Sequence, residues 1–157
     1  MNRQPLLLIS RRDLLNATAG EDGDRVVRTL SSLTRRGFHF VATASQPNEW
    51  SKNKAVSKRS RPGPKRIRDR LAEAGGILDG VYYIPQSLLT QRTRREEALK
   101  DLLERFGTLA SDCFLISSNR NFIKSAKSLG INTKKIKDKK NLDSLLKQLG
   151  KETALNV

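Results

Sequence analysis

Two short segments of the sequence combine hydroxyl groups with arginines, each directly after an apolar run. Ser10-Arg11-Arg12-Asp13 follows residues 6–9, and Ser117-Ser118-Asn119-Arg120 follows residues 113–116. A serine attacks phosphorus only with a general base beside it, and arginine stays protonated and cannot act as that base. Arginine does bind phosphate well, through paired charge-assisted hydrogen bonds. These residues therefore favour binding of a phosphate group over its hydrolysis.

The elements that must position these segments alternate along the chain. Apolar residues at helical spacing predict helices, and a glycine follows four of them as a stop signal. Apolar runs between the helices predict strands at residues 6–9, 38–44, 81–84, 113–116 and, more briefly, 131–136. The alternation predicts an α/β fold with a mostly parallel sheet of about five strands, covered on both faces. Such sheets carry their sites at the carboxyl ends of the strands.

At those strand ends the sequence resembles the haloacid-dehalogenase-like (HAD) superfamily, in the branch of the heptose-bisphosphate and histidinol-phosphate phosphatases. Four segments between residues 5 and 136 follow the order and spacing of that branch. The clearest is LDGVYYIPQ at residues 78–86, which resembles the family's strand running into YYCPH. The resemblance implies a three-layer, Rossmann-like HAD fold in one domain spanning residues 1–157, with the first and fourth strands as neighbours.

The resemblance also implies where catalytic residues would stand, and this sequence departs from the family there. The nucleophilic aspartate and the acid/base aspartate of the family align with Ser10 and Arg12. The two carboxylates that complete the magnesium site align with Ser118 and Phe122. The sequence thus predicts a pseudo-phosphatase with no catalytic residues, no metal and no other cofactor. A phosphatase with displaced residues stays an alternative, in which Asp13, one place out of register, is the nucleophile.

Two further family features are altered as well. The zinc-binding Cys and His of the YYCPH motif are replaced by Ile84 and Gln86, so no structural zinc is expected. The family's phosphate-neutralising lysine aligns with Thr93, which has an arginine on either side. Positive charge is therefore retained in places where the catalytic groups are lost.

The whole chain is strongly basic. Its 157 residues include 31 lysines and arginines against 16 acids, a net charge of +15, which favours a polyanionic partner. Residues 46–70 hold nine of the basic residues with only two acids, and residues 134–140 hold five lysines with one aspartate. Residues 47–64 mix this charge with Ser, Pro and Gly. We predict an exposed basic loop there, with the composition of a disordered segment.

These observations predict a non-catalytic binding module for nucleic acid or phosphate groups. A scaffold or inhibitor that binds an acidic protein through the same charge is the open alternative. No apolar run reaches the roughly 20 residues of a membrane helix or forms a secretory signal, so we expect a cytoplasmic protein without membrane insertion. The candidate binding residues are Arg11, Arg12, Lys52, Lys54, Lys58, Arg59, Arg61, Lys65, Arg66, Arg68, Arg92, Arg94, Arg95, Ser117, Ser118 and Arg120.

Overall fold

The computed structural model describes residues 4–19, 23–44, 63–84, 91–137 and 141–155, with the backbone alone at 63–66 and 154–155. The strands in this part of the chain are β1 (Leu6–Ser10), β2 (His39–Ala44), β3 (Gly80–Tyr83), β4 (Cys113–Ser117) and β5 (Asn132–Lys135). The helices are α1 (Arg11–Thr18), α2 (Gly23–Arg35), α3 (Gly63–Glu73), α4 (Arg92–Phe106), α5 (Arg120–Ser128) and α6 (Asn141–Leu155). A short 3₁₀ helix, Ala110–Asp112, precedes β4.

The five strands form one parallel sheet in the order β3-β2-β1-β4-β5. Strand β1 lies between β2 and β4, and its Leu6 is in register with His39 and Cys113. The predictions of a five-stranded parallel sheet and of neighbouring first and fourth strands are confirmed. Among the described residues, no helix is both long and apolar enough to cross a membrane.

Side chains of the central strand enter two separate cores, one on each face of the sheet. Leu7 and Ile9 face a core that includes residues of α1, α2, α3 and α6. Leu6 and Leu8 face a second core, built with residues of α4 and α5. All four leucine and isoleucine side chains are fully buried, because a strand covered on both faces has no solvent side. The result is the predicted three-layer arrangement of helices, sheet and helices.

The structure differs from the sequence interpretation at two places in the chain. Residues 11–18 form helix α1, which was not predicted, since Leu14 and Ala17 are the only apolar residues that it buries and a single pair gives little helical periodicity. Helix α3 begins at Gly63, before the predicted end of the basic loop at residue 64. The rest of that predicted loop, residues 47–62, lies outside the described residues.

A polar contact joins β3 to helix α4 at the margin of the second core, against which Tyr82 packs. The hydroxyl group of Tyr82 donates a hydrogen bond to the Asp101 carboxylate, and the Arg105 guanidinium lies 5.5 Å from the centre of the tyrosine ring. Burial, and then the bond to Asp101, raise the pKa of Tyr82 to about 12 from its ordinary value of 10.0. The same hydrogen bond lowers the pKa of the Asp101 carboxyl group.

We expect the stability of the folded chain to fall as the pH rises from 10 to 12 because of Tyr82. In that range the unfolded chain loses the phenol proton while the folded chain still holds it, so the unfolded state is favoured progressively. Alkaline titration followed by the ultraviolet absorbance of phenolate should show a late step near pH 12 that Tyr82→Phe removes. The control is Tyr83→Phe, which should leave that step in place.

Candidate phosphate-binding site

The two serine- and arginine-containing segments meet at the carboxyl edge of the sheet. Because β1 and β4 are parallel, with Ile9 opposite Ile116, the segments that follow them leave the sheet side by side. Each segment then starts a helix and caps it. Ser10 Oγ accepts a hydrogen bond from the Asp13 amide at 3.1 Å, and Asn119 Oδ1 accepts one from the Phe122 amide at 3.0 Å. Capping by these side chains explains why α1 and α5 begin directly after their strands.

A pair of hydrogen bonds joins the two segments through Asp13 and Ser118. The Ser118 amide donates to one carboxylate oxygen of Asp13 at 3.1 Å, and the Ser118 hydroxyl donates to the other at 2.7 Å. The Asp13 side chain is only 7% exposed. Ser117 is also buried, and its Oγ accepts a hydrogen bond from the Asn119 amide at 3.0 Å. Ser118 therefore joins the two strand ends, whereas the buried Ser117 side chain bonds only within its own segment.

A row of positive charge runs along this edge, across the ends of three neighbouring strands. Its members are Arg11 and Arg12 after β1, Arg120 after β4, and Lys135 and Lys137 at the end of β5; we call these five residues the basic edge. Arg11 is partly exposed, and the other four are exposed. The ion pairs within the described part of the chain include none of the five.

The arginines of α4, which were also candidates, have a different environment. Arg92 pairs with Glu96 at 3.0 Å and Arg94 pairs with Glu97 at 3.1 Å, both on the exposed surface of the helix. The hydrogen bond from Arg92 also lowers the pKa of the Glu96 carboxyl group. The positive charge of these two arginines is thus compensated locally by their own helix.

Arg95 corrects the prediction that it lines an open crevice. Its side chain is 8% exposed, and its Nε donates a hydrogen bond to Ser125 Oγ of α5 at 2.8 Å. Positions 95, 99 and 102 share the inward face of α4, so the side chain is turned toward α5 rather than toward solvent. Arg95 therefore joins the two helices that cover the second core.

The remaining candidates follow β2 in the sequence. Arg68 is exposed on helix α3, while Lys65 and Arg66 lie in the first part of that helix, where only the backbone is described. Lys52, Lys54, Lys58, Arg59 and Arg61 lie outside the described residues. The chain leaves β2 at Ala44, on the same carboxyl edge and next to the end of β1. This basic segment is therefore attached beside Arg11 and Arg12.

Sequence reasoning missed a cavity of about 200 Å³ at the β5 end of the basic edge. Its lining residues are Asp13, Asn16, Ala17, Ser118, Ile136, Lys137 and Leu142. A larger cavity, of about 440 Å³, lies at the opposite edge of the sheet near His39, Phe106 and Asp112, and no lysine or arginine lines it. A phosphate group would find no counter-charge in that larger cavity. The carboxyl edge is therefore the candidate site despite its smaller cavity.

No family model matches the sequence, and neither does any curated protein. Solved structures do match the fold. The D,D-heptose 1,7-bisphosphate phosphatase from B. bronchiseptica, complexed with magnesium and phosphate, has a TM-score of 0.68 at 12% identity, over 95% of this chain and 99% of that one. The same enzyme from Burkholderia thailandensis has a TM-score of 0.51 at 10% identity, over 93% and 98%. An uncharacterized protein from Corynebacterium glutamicum has a TM-score of 0.58 at 13% identity, over 94% of both chains.

The fold is HAD-like. Identities this low concern the fold alone, so the chemistry must be judged from the residues of this chain. At the HAD-like carboxyl edge, Ser10 caps a helix, Arg12 is exposed and Phe122 is 6% exposed in the second core. Asp13 is the one carboxylate in the two segments.

The residues present do not fit the magnesium ion that a HAD phosphatase would use. Magnesium is held by one or two carboxylates together with phosphate oxygens and waters. Across the described residues, no group of three or more His, Cys, Asp or Glu side chains could hold a metal. The nearby Arg11, Arg12 and Arg120 would also repel a divalent cation. The residues of this site therefore do not fit metal-dependent phosphoryl transfer.

Proposed function

We propose that this HAD-like chain is a non-catalytic binding protein for phosphate groups, with nucleic acid as the favoured partner. The observation that carries the proposal is the basic edge, whose five cations form no ion pair with another described residue. Three other cations, Arg92, Arg94 and Lys134, are paired with acids of their own or a neighbouring element. Uncompensated charge of one sign attracts a partner of the opposite sign.

The spacing of the basic edge suits a chain of phosphates better than a single one. Strands β1, β4 and β5 are successive neighbours, about 4.8 Å apart. The cations after them therefore span roughly 10 Å before the reach of their side chains is added. On the other side of β1, β2 ends at Ala44, which precedes the basic residues 46–70 in the sequence. A nucleic-acid backbone presents regularly spaced negative charges to match such a row.

The geometry around Asp13 supports binding without hydrolysis. A nucleophilic carboxylate must have an oxygen free to approach phosphorus in line, with an acid or base at hand. The two hydrogen bonds from Ser118 hold the Asp13 carboxylate in one orientation, and the position two residues after Ser10 is occupied by Arg12, which stays protonated and cannot act as a base. Among the described residues, the side chains also provide no donor set for the magnesium ion that would stabilise the charge developed in phosphoryl transfer.

The purified protein should therefore show no magnesium-stimulated hydrolysis of a sugar phosphate or an aryl phosphate. Release of inorganic phosphate, measured with and without magnesium, should not exceed that of a protein-free blank. The diagnostic variant is Asp13→Asn, which should leave phosphate release unchanged both with and without magnesium. Turnover in the parent protein that Asp13→Asn abolishes would contradict the proposal and make Asp13 a nucleophile.

Binding to nucleic acid should be tight at low salt and should weaken steeply as salt is added. Contact with about six phosphates of a duplex predicts a slope of log affinity against log salt of roughly −5, and of roughly −4 for a single strand. Fluorescence anisotropy with labelled oligonucleotides measures both. Changing Lys58, Arg59, Arg61, Lys65 and Arg66 together to Ser should weaken binding to oligonucleotides of every sequence by a similar factor. The slope of log affinity against log salt should also become shallower. Absence of binding to both RNA and DNA at about 50 mM salt would reject nucleic acid and favour an acidic protein.

A further inference from the structure

The smaller cavity has the construction of a binding pocket. Its apolar lining residues are Ala17 of α1, Ile136 after β5 and Leu142 of α6, of which Ile136 is partly exposed and the other two are buried. Pockets for organic ligands combine such walls with a few convergent polar groups. Its volume of about 200 Å³ is below the roughly 300–1,000 Å³ of pockets for drug-sized ligands. A volume of this size would accommodate a single small ring but not a drug-sized ligand.

Three polar residues that line the cavity can form hydrogen bonds with the edge of such a ring. The Asp13 carboxylate has about four acceptor sites and uses two of them on Ser118, so it can accept further hydrogen bonds. Asn16 is exposed and carries both donors and an acceptor. Lys137 stands at the same cavity and also belongs to the basic edge. A ligand whose ring enters the cavity would thus have its charged backbone next to the cations.

From this arrangement we infer that the partner is single-stranded nucleic acid, with one unpaired base held in the cavity and its neighbouring phosphates on the basic edge. The inference rests on the proposed function and specifies the kind of nucleic acid. A base inside a duplex is stacked and paired and cannot enter a pocket unless it is extruded. A carboxylate accepts hydrogen bonds from the amino groups of cytosine, adenine or guanine, which thymine and uracil lack. The cavity therefore favours an unpaired base that carries an amino group.

The test compares oligo-dC with oligo-dT of equal length, because the two have the same backbone charge and both are pyrimidines. Anisotropy in 0.1 M salt should show binding of oligo-dC about tenfold tighter than of oligo-dT, with a duplex of the same length also weaker than oligo-dC. Asn16→Phe places a ring in the cavity from an exposed position. It should abolish the preference for oligo-dC and leave the salt slope unchanged.

The matched control is Asn121→Phe, an exposed asparagine of α5 that does not line the cavity. It should retain the preference for oligo-dC. Equal binding of oligo-dC, oligo-dT and duplex, with the salt slope intact, would overturn the inference and leave the proposed function standing. A preference for oligo-dC that survives Asn16→Phe would overturn it too. No binding to any of the three would instead remove the proposed function itself.

Discussion

Replacing Arg11, Arg12 and Arg120 together by serine should weaken nucleic-acid binding by roughly 100- to 500-fold at 0.1 M salt. Each lost phosphate contact removes about 0.7 (single strand) to 0.9 (duplex) of a unit from the slope of log affinity against log salt. Three lost contacts should therefore also make that slope shallower by about 2 to 3 units. Anisotropy titrations at several salt concentrations give both quantities from one set of data.

The matched control for this variant changes three other exposed arginines by the same net charge. Arg92, Arg94 and Arg105 lie on α4 and pair with Glu96, Glu97 and Asp101. Their joint replacement by serine should reduce affinity much less, since only the long-range field changes and no contact is lost. Equal losses in the two triple variants would show that net charge alone drives binding and that the basic edge has no special role.

Leu8→Ala should lower the free energy of unfolding by about 3 kcal/mol, within the usual range of about 2–5 kcal/mol for such a truncation. Leu8 is fully buried on β1, where it faces the second core and is in register with Val41 and Leu115. Truncation removes apolar contact and leaves a cavity that close-packed neighbours fill only in part. Urea unfolding should show a lower midpoint at an unchanged slope.

Leu109→Ala is the control for the core variant. Leu109 is 51% exposed beside the short helix that precedes β4, so its truncation should change stability by less than about 0.5 kcal/mol. Similar losses in the two leucine variants would contradict the burial assigned to β1. The comparison matters for function because β1 carries Arg11 and Arg12 to the edge of the sheet.

Much of the fold was predictable because the strands are buried on both faces. Such strands are short continuous apolar runs, and residues 6–9 and 113–116 are the clearest in the chain. Helix α4 was predicted to within two residues because its apolar positions recur at helical spacing and Gly107 ends it, with φ of 59°. Helix α1 was not predicted, because its start depends on a serine cap and its inward face has few apolar residues.

The sequence by itself determined the parallel α/β architecture and the excess of positive charge, and it predicted Ser, Arg and Phe residues at the positions where the resemblance to HAD phosphatases places aspartates. Hydrophobic pattern and composition are local properties, so no contact is needed to read them. Only the tertiary structure decided which arginines are available. It buries Arg95 against Ser125 and pairs Arg92 with Glu96, whereas Arg11, Arg12 and Arg120 meet no described acid.

The cavity and the link beside it also depended on the tertiary structure. Asp13 and Ser118 are 105 residues apart in sequence and become hydrogen-bond partners because β1 and β4 are neighbours in the sheet. Lys137 and Asn16 line the same cavity because the strand order places the ends of β4 and β5 beside α1. Ion pairing, burial and cavities depend on distances between side chains that are remote in sequence, and chain folding alone sets those distances.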